Sequence, residues 1–395
     1  MSPTVRRLLV GRGVRAGVDG YVAVLLPAYL LELGYGTWDV GVISTATLLG
    51  SALATLALGA WGHRLRTTAL LPAAALLMIA TGLGFAGLTQ FWPLLLVAFF
   101  GTVNPGSGDV SVFLPLEQAR LAAAADGRDH TRVFARYSLV GTLCAAAGAL
   151  AAGVPELLAM AGIDRLTALR AMFGLYACAG LVALSLYTGL PVPVHAEGSG
   201  TSRPLGPSRS TVVRLAALFS VDSFAGGLVV NSLLALWLYQ RFGLSLAAAG
   251  TFFFWTGLMS AFSQLAAPRV ARRFGLLNTM VFTHIPSSLF LIAAALAPGI
   301  EAALGLLLLR AALSQMDVPV RTAYVMAVVT PAERSAAASF TAVPRSLAAA
   351  LGPTLGGGLF AAGWLAAPLV AAGVLKIAYD VSLLATFRHR QVSQD

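Results

Sequence analysis

The sequence predicts an all-α integral membrane protein whose twelve transmembrane helices form two pseudo-symmetric halves of six. The first observation is composition: of 395 residues, 58% are hydrophobic and 11% are charged, whereas soluble proteins average about 25% charged residues. The mean hydropathy of +0.81 is also far above that of a soluble protein. The second observation is the recurrence of long apolar stretches, and the third is the placement of basic loops between them.

Apolar stretches of about 20 residues, the length of a helix that crosses a bilayer, occur twelve times. Because the number is even, both termini are expected on the same side of the membrane. The stretches cover approximately residues 14–33, 39–61, 68–88, 92–113, 133–153, 167–189, 212–238, 245–267, 277–297, 302–326, 336–361 and 365–386.

Arginines concentrate at alternate junctions between these stretches. Cytoplasmic loops carry an excess of Lys and Arg, so the pattern predicts that both termini are cytoplasmic. We expect a multi-pass protein of the inner (plasma) membrane of a bacterial cell. The arginines at these junctions are Arg6, Arg7, Arg12, Arg64, Arg66, Arg128, Arg132, Arg203, Arg209, Arg214, Arg269, Arg272, Arg273, Arg334, Arg388 and Arg390.

Several functional classes are excluded by composition. The net charge of +10 comes from short loops and not from a basic stripe, so no nucleic-acid partner is expected. Lys376 is the only lysine and no G-x-x-x-x-G-K-[ST] segment occurs, which excludes a nucleotide-binding P-loop. Cys144 and Cys178 lie in apolar spans, so no disulfide framework is expected. No residue spacing predicts a metal site, a cofactor or an enzyme nucleophile.

A polar segment divides the chain. Residues 191–210 are rich in Pro, Gly and Ser and are predicted to form a cytoplasmic linker. They separate an N-terminal six-helix half, residues 1–190, from a C-terminal half, residues 211–395. Such duplicated halves are a common construction in membrane proteins.

The two halves also share the positions of acidic residues. Asp19 in the first span and Asp222 in the seventh each follow a valine, and Asp109 and Asp317 both lie late in the fourth span of their half. The correspondence predicts an internal repeat.

Two loops resemble signature loops of the major facilitator superfamily. Residues 59–68 (GAWGHRLRTT), after the second span, keep the leading glycine and the arginine, Arg64, of the family's G-x-x-x-D-R-x-G-R-R motif, with His63 at the aspartate position. Residues 268–275 (PRVARRFG), after the eighth span, keep the arginine, the aromatic residue and the glycine. With the span pattern and the central linker, the resemblance covers essentially the whole chain.

The resemblance implies a secondary carrier that works by alternating access, commonly as a monomer surrounded by lipid. Residues 352–357 (GPTLGG) resemble the family's G-P-x-x-G-G antiporter motif, although they lie in the eleventh span and not in the fifth; close helix packing is the alternative reading. We expect proton-coupled export (antiport) of a small organic molecule, of the drug or metabolite efflux type. The alternatives are a proton symporter or uniporter of a small organic anion, and a non-transporting membrane sensor.

Four acidic residues within the predicted spans are candidates for proton coupling: Asp222, Asp19, Asp109 and Asp317. A coupling acid must gain and lose a proton as its surroundings change, which requires burial and a movable cation. Arg15 precedes Asp19 by four residues, so a structural pair is an open alternative there. The basic residue nearest to Asp222 in sequence is Arg214, eight residues away. Asp222 is therefore the less compensated acid, and it is predicted to be the best proton candidate.

Five polar residues are candidates for substrate binding. Arg310 is predicted to lie at mid-membrane, where an uncompensated arginine suits an anionic substrate, and Arg345 is expected to join it in a positive cavity. For both, an interhelical salt bridge is the alternative. The remaining candidates are Asn231, Asn104 and Gln315.

Conformational roles are expected at the cytoplasmic side. Asp317 and Arg321 stand one helical turn apart across Pro319, and we expect them to form a gate or a brace. The signature loops add His63, Arg64 and Arg273 to this group. His284 in the ninth span is predicted to make a helix contact and not to bind metal.

Overall fold

The computed structural model describes residues 2–64, 66–106, 111–124, 130–191, 205–330 and 333–388. In these ranges all regular structure is helical, which confirms the predicted all-α class. The α-helices are α1 (Pro3–Glu32), α2 (Thr37–Trp61), α3 (Thr67–Gly87), α4 (Phe91–Phe100), α5 (Phe113–Ala124), α6 (His130–Ala149), α7 (Val154–Met160), α8 (Arg165–Thr188), α9 (Arg209–Gly227), α10 (Asn231–Phe242), α11 (Leu246–Phe274), α12 (Leu276–Ala295), α13 (Ile300–Ser314), α14 (Asp317–Val328), α15 (Arg334–Ala361) and α16 (Ala367–Phe387).

Within the described residues, ten helical segments are long and apolar enough to cross a membrane. Many large apolar side chains point outward from them, as expected where lipid replaces water; Leu83, Phe262 and Leu355 are each more than half exposed. The multi-pass membrane class is therefore confirmed. The count of twelve spans and the cytoplasmic position of both termini stay predictions.

Some predicted spans contain two helices joined by a short break. The fourth predicted span, residues 92–113, contains α4 followed by residues 101–106, which lie outside any helix, and it ends where α5 begins. The seventh is α9 followed by α10, and the tenth is α13 followed by α14. Irregular backbone at membrane depth is tolerated only where protein or water surrounds it. The breaks therefore mark the parts of the chain that face away from lipid.

The chain divides into two compact units. Unit 1 consists of Met1–Gly198 and Val230–Trp255, and unit 2 consists of Ser199–Val229 and Thr256–Asp395. Residues 230–255, assigned by sequence to the C-terminal half, thus pack within unit 1. Hydrogen bonds help to hold them there: for example, the Tyr239 hydroxyl donates to the carbonyl of Val24 at 2.7 Å, and Glu156 accepts from the amide of Leu246 at 2.6 Å. Most of the predicted linker lies outside the described residues.

Glycines set the closest helix contacts in both units. In unit 1, a Cβ built on Gly148 of α6 would lie 1.8 Å from the carbonyl oxygen of Gly17 on α1. In unit 2, a Cβ on Gly352 of α15 would lie 2.3 Å from the carbonyl carbon of Gly227 on α9. Gly352 begins the GPTLGG segment, so this segment lies where α15 packs against α9.

Candidate functional site

Asp222 lies at the centre of a buried group of charged side chains in unit 2. It is 4% exposed, and it contacts side chains from three other helices. Lys376 Nζ on α16 lies 2.6 Å from Asp222 Oδ1, and Arg321 Nη2 on α14 lies 2.9 Å from Oδ2. His284 Nε2 on α12 lies 3.7 Å from Oδ1. One carboxylate thus joins four helices.

Two further acids extend this group. Asp380 of α16 contacts the other ring nitrogen of His284, with Nδ1 at 2.9 Å from Oδ2 and 3.1 Å from Oδ1. Asp317 forms a salt bridge with Arg321 one turn along α14. We call the six side chains together the charge network: Asp222, Asp317, Asp380, His284, Arg321 and Lys376.

The charge network is balanced only when it holds a proton. Its three carboxylates carry three negative charges, whereas Arg321 and Lys376 supply two positive charges. His284 supplies the third when its imidazole is protonated. Because an uncompensated charge in a protein interior is costly, the protonation of His284 and the charge balance are linked.

Aromatic rings enclose the network. The Arg321 guanidinium lies 5.2 Å from the ring centre of Phe219, and the Tyr379 ring meets His284 edge-on at 6.1 Å. Tyr379 Oη and Arg321 Nε are buried, and neither has a hydrogen-bond partner among the described residues. Buried polar groups normally find partners, so these two atoms are available to a bound water or ligand.

Two more arginines lie near the network. Arg345 of α15 is partly exposed, donates from Nε to Ser223 Oγ at 3.2 Å and lies 6.0 Å from the Phe219 ring centre. The partly exposed guanidinium of Arg310 on α13 has no hydrogen bond or ion pair within the described part of the chain. Both arginines interact electrostatically with Asp222. They give this region of unit 2 a surplus of positive charge.

Unit 1 contains a second buried ion pair, between Arg15 of α1 and Glu117 of α5. Glu117 also accepts hydrogen bonds from the hydroxyls of Tyr137, at 2.5 Å, and Tyr187. Arg15 in turn donates to Tyr187 and lies 4.0 Å above the ring centre of Phe113. Charge and hydrogen bonding are both satisfied around this pair, which is the arrangement expected of a structural brace.

The two units place opposite charges on corresponding helices. In unit 1, the helix of the first predicted span carries the cation, Arg15, and α5, which begins where the fourth predicted span ends, carries the acid, Glu117. In unit 2, the helix that begins the seventh span carries the acid, Asp222, and the second part of the tenth span carries the cation, Arg321. Each unit thus contains a buried ion pair, with the cation on the earlier helix in unit 1 and on the later helix in unit 2.

The structure brings some of the predicted site residues together. Asp222, Asp317 and Arg321 are in direct contact, and Arg310 and Arg345 lie within electrostatic range of Asp222. The prediction that Asp222 lacks nearby cations is wrong, because Lys376 and Arg321 approach it from residues distant in sequence.

Other predicted residues lie elsewhere. Asp19 is a partly exposed residue of α1 in unit 1, and Asn104 is buried there with its Oδ1 accepting from the amide of Gly106 at 3.0 Å. Asn231 begins α10, also in unit 1, whereas Gln315 follows the end of α13 in unit 2.

The signature-loop candidates are mostly at the surface. Arg64 and Arg273 are exposed. The His63 side chain and Asp109 lie outside what the structure describes.

Sequence reasoning missed Lys376, Asp380 and Glu117, and it assigned His284 to simple helix packing. A signal was present for two of them: Lys376 and Asp380 stand four residues apart within an apolar span, which is costly unless both are paired. For Glu117, the partner Arg15 is 102 residues away, so the sequence offers no local clue.

Comparison with known proteins agrees with the fold. The model of the Major Facilitator Superfamily matches residues 8–314. An uncharacterized membrane protein of Saccharomyces cerevisiae is 26% identical over 343 residues, which cover 78% of this chain and 77% of the yeast protein.

Solved transporter structures share the fold at low sequence identity. A bacterial homologue of the human lysosomal transporter Spinster, in an inward-facing and unoccupied conformation, aligns with a TM-score of 0.75 at 16% identity, over 99% of this chain and 98% of that one. The nucleoside transporter NupG aligns with a TM-score of 0.74 at 16% identity, over 99% and 100% of the two chains. From the family match and the membrane-spanning helices together, the chain belongs to the major facilitator superfamily and is a membrane transporter, not an enzyme.

Proposed function

We propose that the chain is a secondary transporter that works by alternating access and couples the movement of a small organic molecule to protons. The charge network of unit 2 carries this proposal. It holds three acids against two permanent cations and one histidine, all buried. The ion pair around Glu117 is neutral without a proton on a histidine, whereas the six side chains of this network, counted without Arg310 and Arg345, sum to zero only when His284 is protonated.

Exchange of protons for an exported molecule is the first candidate for the direction of coupling. Its support is the GPTLGG segment of α15, which resembles an antiporter motif. Gly352 of this segment packs against Gly227 of α9, the helix that carries Asp222. A change in the contact between Gly352 and Gly227 would therefore move α9, the helix that contributes Asp222 to the charge network.

Proton symport or uniport of a small organic anion is the second candidate, and the surplus charge near Asp222 favours it. Arg310 and Arg345 add two positive charges that the three acids of the network do not balance once His284 is protonated. A proton on His284 and an anion near these arginines would stabilise each other electrostatically. Proton binding and anion binding would then increase together, which is the requirement for symport.

The experiment that tests this proposal begins with ligands. A thermal-shift screen of the purified protein against anionic, neutral and cationic small molecules identifies compounds that bind the folded state. Each binder is then followed into proteoliposomes under an imposed pH gradient of either sign. Accumulation that follows the gradient supports coupling, and its sign separates symport from exchange. Binding without any flux would instead indicate a sensor, and flux indifferent to the gradient would indicate a uniporter.

The setting expected for this activity is a bacterial plasma membrane, with the protein acting as a monomer. Cross-linking and light scattering of the purified protein in detergent test the oligomeric state, and a dimer that persists at low concentration would contradict it.

A further inference from the structure

We propose that the proton-binding site of this transporter is the pair formed by His284 and Asp380, and that Asp222 is its fixed counter-charge. The inference rests on the proposed proton coupling and names the groups that perform it. The sequence favours Asp222 as the residue that binds the exchangeable proton. We assign that proton instead to His284 of α12, which is paired with Asp380 of α16.

Asp222 is held in its ionised form by two full positive charges. Lys376 Nζ contacts one carboxylate oxygen at 2.6 Å and Arg321 Nη2 contacts the other at 2.9 Å. Protonating Asp222 would remove the counter-charge that contacts Lys376 and one of the two acids that contact Arg321, which is strongly unfavourable for buried cations. Asp222 is therefore a poor place for a proton that must bind and leave in each cycle.

His284 and Asp380 are placed differently. Asp380 is fully buried, and its nearest partner is His284 Nδ1 at 2.9 Å. The opposite ring nitrogen, Nε2, faces Asp222 Oδ1 at 3.7 Å. An imidazolium can donate toward an acid from both nitrogens, whereas a neutral imidazole donates from one only. The ring is thus positioned between two carboxylates that favour its charged form.

Within the described residues, the charged and titratable groups that contact the ring or its partners belong to the charge network or border it. Asp317 and Arg321 of α14 are connected to the ring through Asp222. Arg310 of α13 borders the network, and its carbonyl accepts a hydrogen bond from Ser287 of α12 at 3.4 Å. The remaining groups are Asp222 of α9 and Lys376, Tyr379 and Asp380 of α16. Among the six members of the network, a proton on His284 brings the sum of charges to zero.

The step moves one proton and no electrons. With the proton bound, Nδ1–H donates to Asp380 and Nε2–H points toward Asp222. On release, the proton leaves Nε2 for water. The hydrogen bond from Nδ1–H to Asp380 is kept, and the lone pair of Nε2 then faces the Asp222 carboxylate. The contact between α12 and α16 is kept, while the attraction between α12 and α9 becomes a repulsion. Proton release therefore loosens α9 from α12 inside unit 2.

Because the ligand is the proton, the test needs no transported molecule. The full-length protein, labelled with ¹⁵N only in its five histidines, is titrated by NMR in detergent, and the His284 signal is identified by its loss in His284→Gln. We expect this signal to change between its imidazolium and imidazole forms, and to lose the imidazolium form at a lower pH in Asp380→Asn than in wild type, because the variant removes one of the two carboxylates that face the ring. The matched control is Asp164→Asn: Asp164 is an exposed aspartate that caps α8, where asparagine caps equally well.

Two results overturn the inference: a His284 signal that shows no change of protonation at any pH at which the protein stays folded, or one that responds to pH identically in wild type and Asp380→Asn. If His284→Gln does not fold, substituting each of the other four histidines in turn identifies the remaining signal as His284. A titrating pair in a protein whose transport ignores pH gradients would refute the proposed coupling and leave the proton site standing, so the two failures are distinguishable.

Discussion

Lys376 Nζ lies 2.6 Å from Asp222 Oδ1, and this contact joins α16 to α9 in the interior of unit 2. Lys376 is the only lysine in the chain. Lysine at this depth requires a partner, since a charge inside a membrane protein is tolerated only when it is paired or hydrated.

Removing Lys376 should destabilise the protein. In Lys376→Met the side-chain volume is retained, but Asp222 loses one of its two cations. Breaking a buried pair by deleting one partner costs about 3–5 kcal/mol. We expect a marked fall in the apparent melting temperature in detergent, and partial recovery in the double variant Lys376→Met with Asp222→Asn. The control is Arg272→Met at an exposed position of α11; equal losses in the two single variants would contradict a specific pair.

The Arg15–Glu117 pair of unit 1 should behave as a brace without a role in coupling. Glu117→Gln keeps the shape but leaves Arg15 buried without its counter-ion, so stability should fall by about 3–5 kcal/mol. The NMR signal of His284 in unit 2 should respond to pH as in wild type, because the Arg15–Glu117 pair is balanced by itself. The measurement pairs thermal unfolding with the histidine NMR titration. A stable Glu117→Gln protein with an altered His284 midpoint would show that the pair takes part in proton binding.

Arg310 should discriminate between ligands by charge. Its guanidinium has no ion pair within the described residues, so Arg310→Ala removes attraction for an anion at little structural cost. Among compounds found by thermal shift, we expect anionic ones to lose about tenfold in affinity, equivalent to about 1.4 kcal/mol, and neutral ones to change little. The control is Arg214→Ala, because Arg214 is an exposed arginine of α9. Equal losses for anionic and neutral ligands would assign Arg310 a structural role.

Gly352 should be intolerant of any side chain. A Cβ there would lie 2.3 Å from the carbonyl carbon of Gly227, so Gly352→Ala forces α15 away from α9. We expect a lower melting temperature and slower transport. Gly305 of α13 is the matched control, because a Cβ there meets nothing within 4 Å, and alanine in a helix is more stable than glycine by about 0.5–1 kcal/mol. Similar behaviour of the two variants would contradict the close contact.

Glu333 should hold the segment before α9 over a wide range of pH. Hydrogen bonds from Ser208, Thr330 and the amide of Gly206 lower the pKa of Glu333 from 4.5 to about 2. A lowered pKa means that the stabilisation is complete above the unfolded value and is lost as pH falls through about 2. Hydrogen exchange at the Gly206 amide, corrected for intrinsic rate, should therefore show constant protection from pH 7 to about 5. Loss of protection near neutral pH in wild type, or unchanged protection in Glu333→Ala, which removes the acceptor, would contradict this contact.

The sequence predicts the helices and the family because both depend on local patterns: apolar length, loop arginines and degenerate loop motifs. It also predicts the Asp317–Arg321 pair, since residues four apart on a helix are neighbours. The rest of the network is beyond local reasoning. Asp222 meets Arg321 across 99 residues and Lys376 across 154, and His284 meets Asp380 across 96. The packing of α9, α12, α14 and α16 brings these side chains together. Asp222, which has no cation close to it in sequence, therefore contacts two cations, Arg321 and Lys376, in the structure.

The most direct test of proton coupling is the internal pH of proteoliposomes when a transported compound is added without any imposed gradient. A pH-sensitive dye trapped inside reports proton movement while the labelled compound reports its own flux. We predict that the two fluxes rise together in wild type, and that His284→Gln carries out exchange of labelled for unlabelled compound without moving protons. Compound flux in wild type with no change of internal pH would contradict the account.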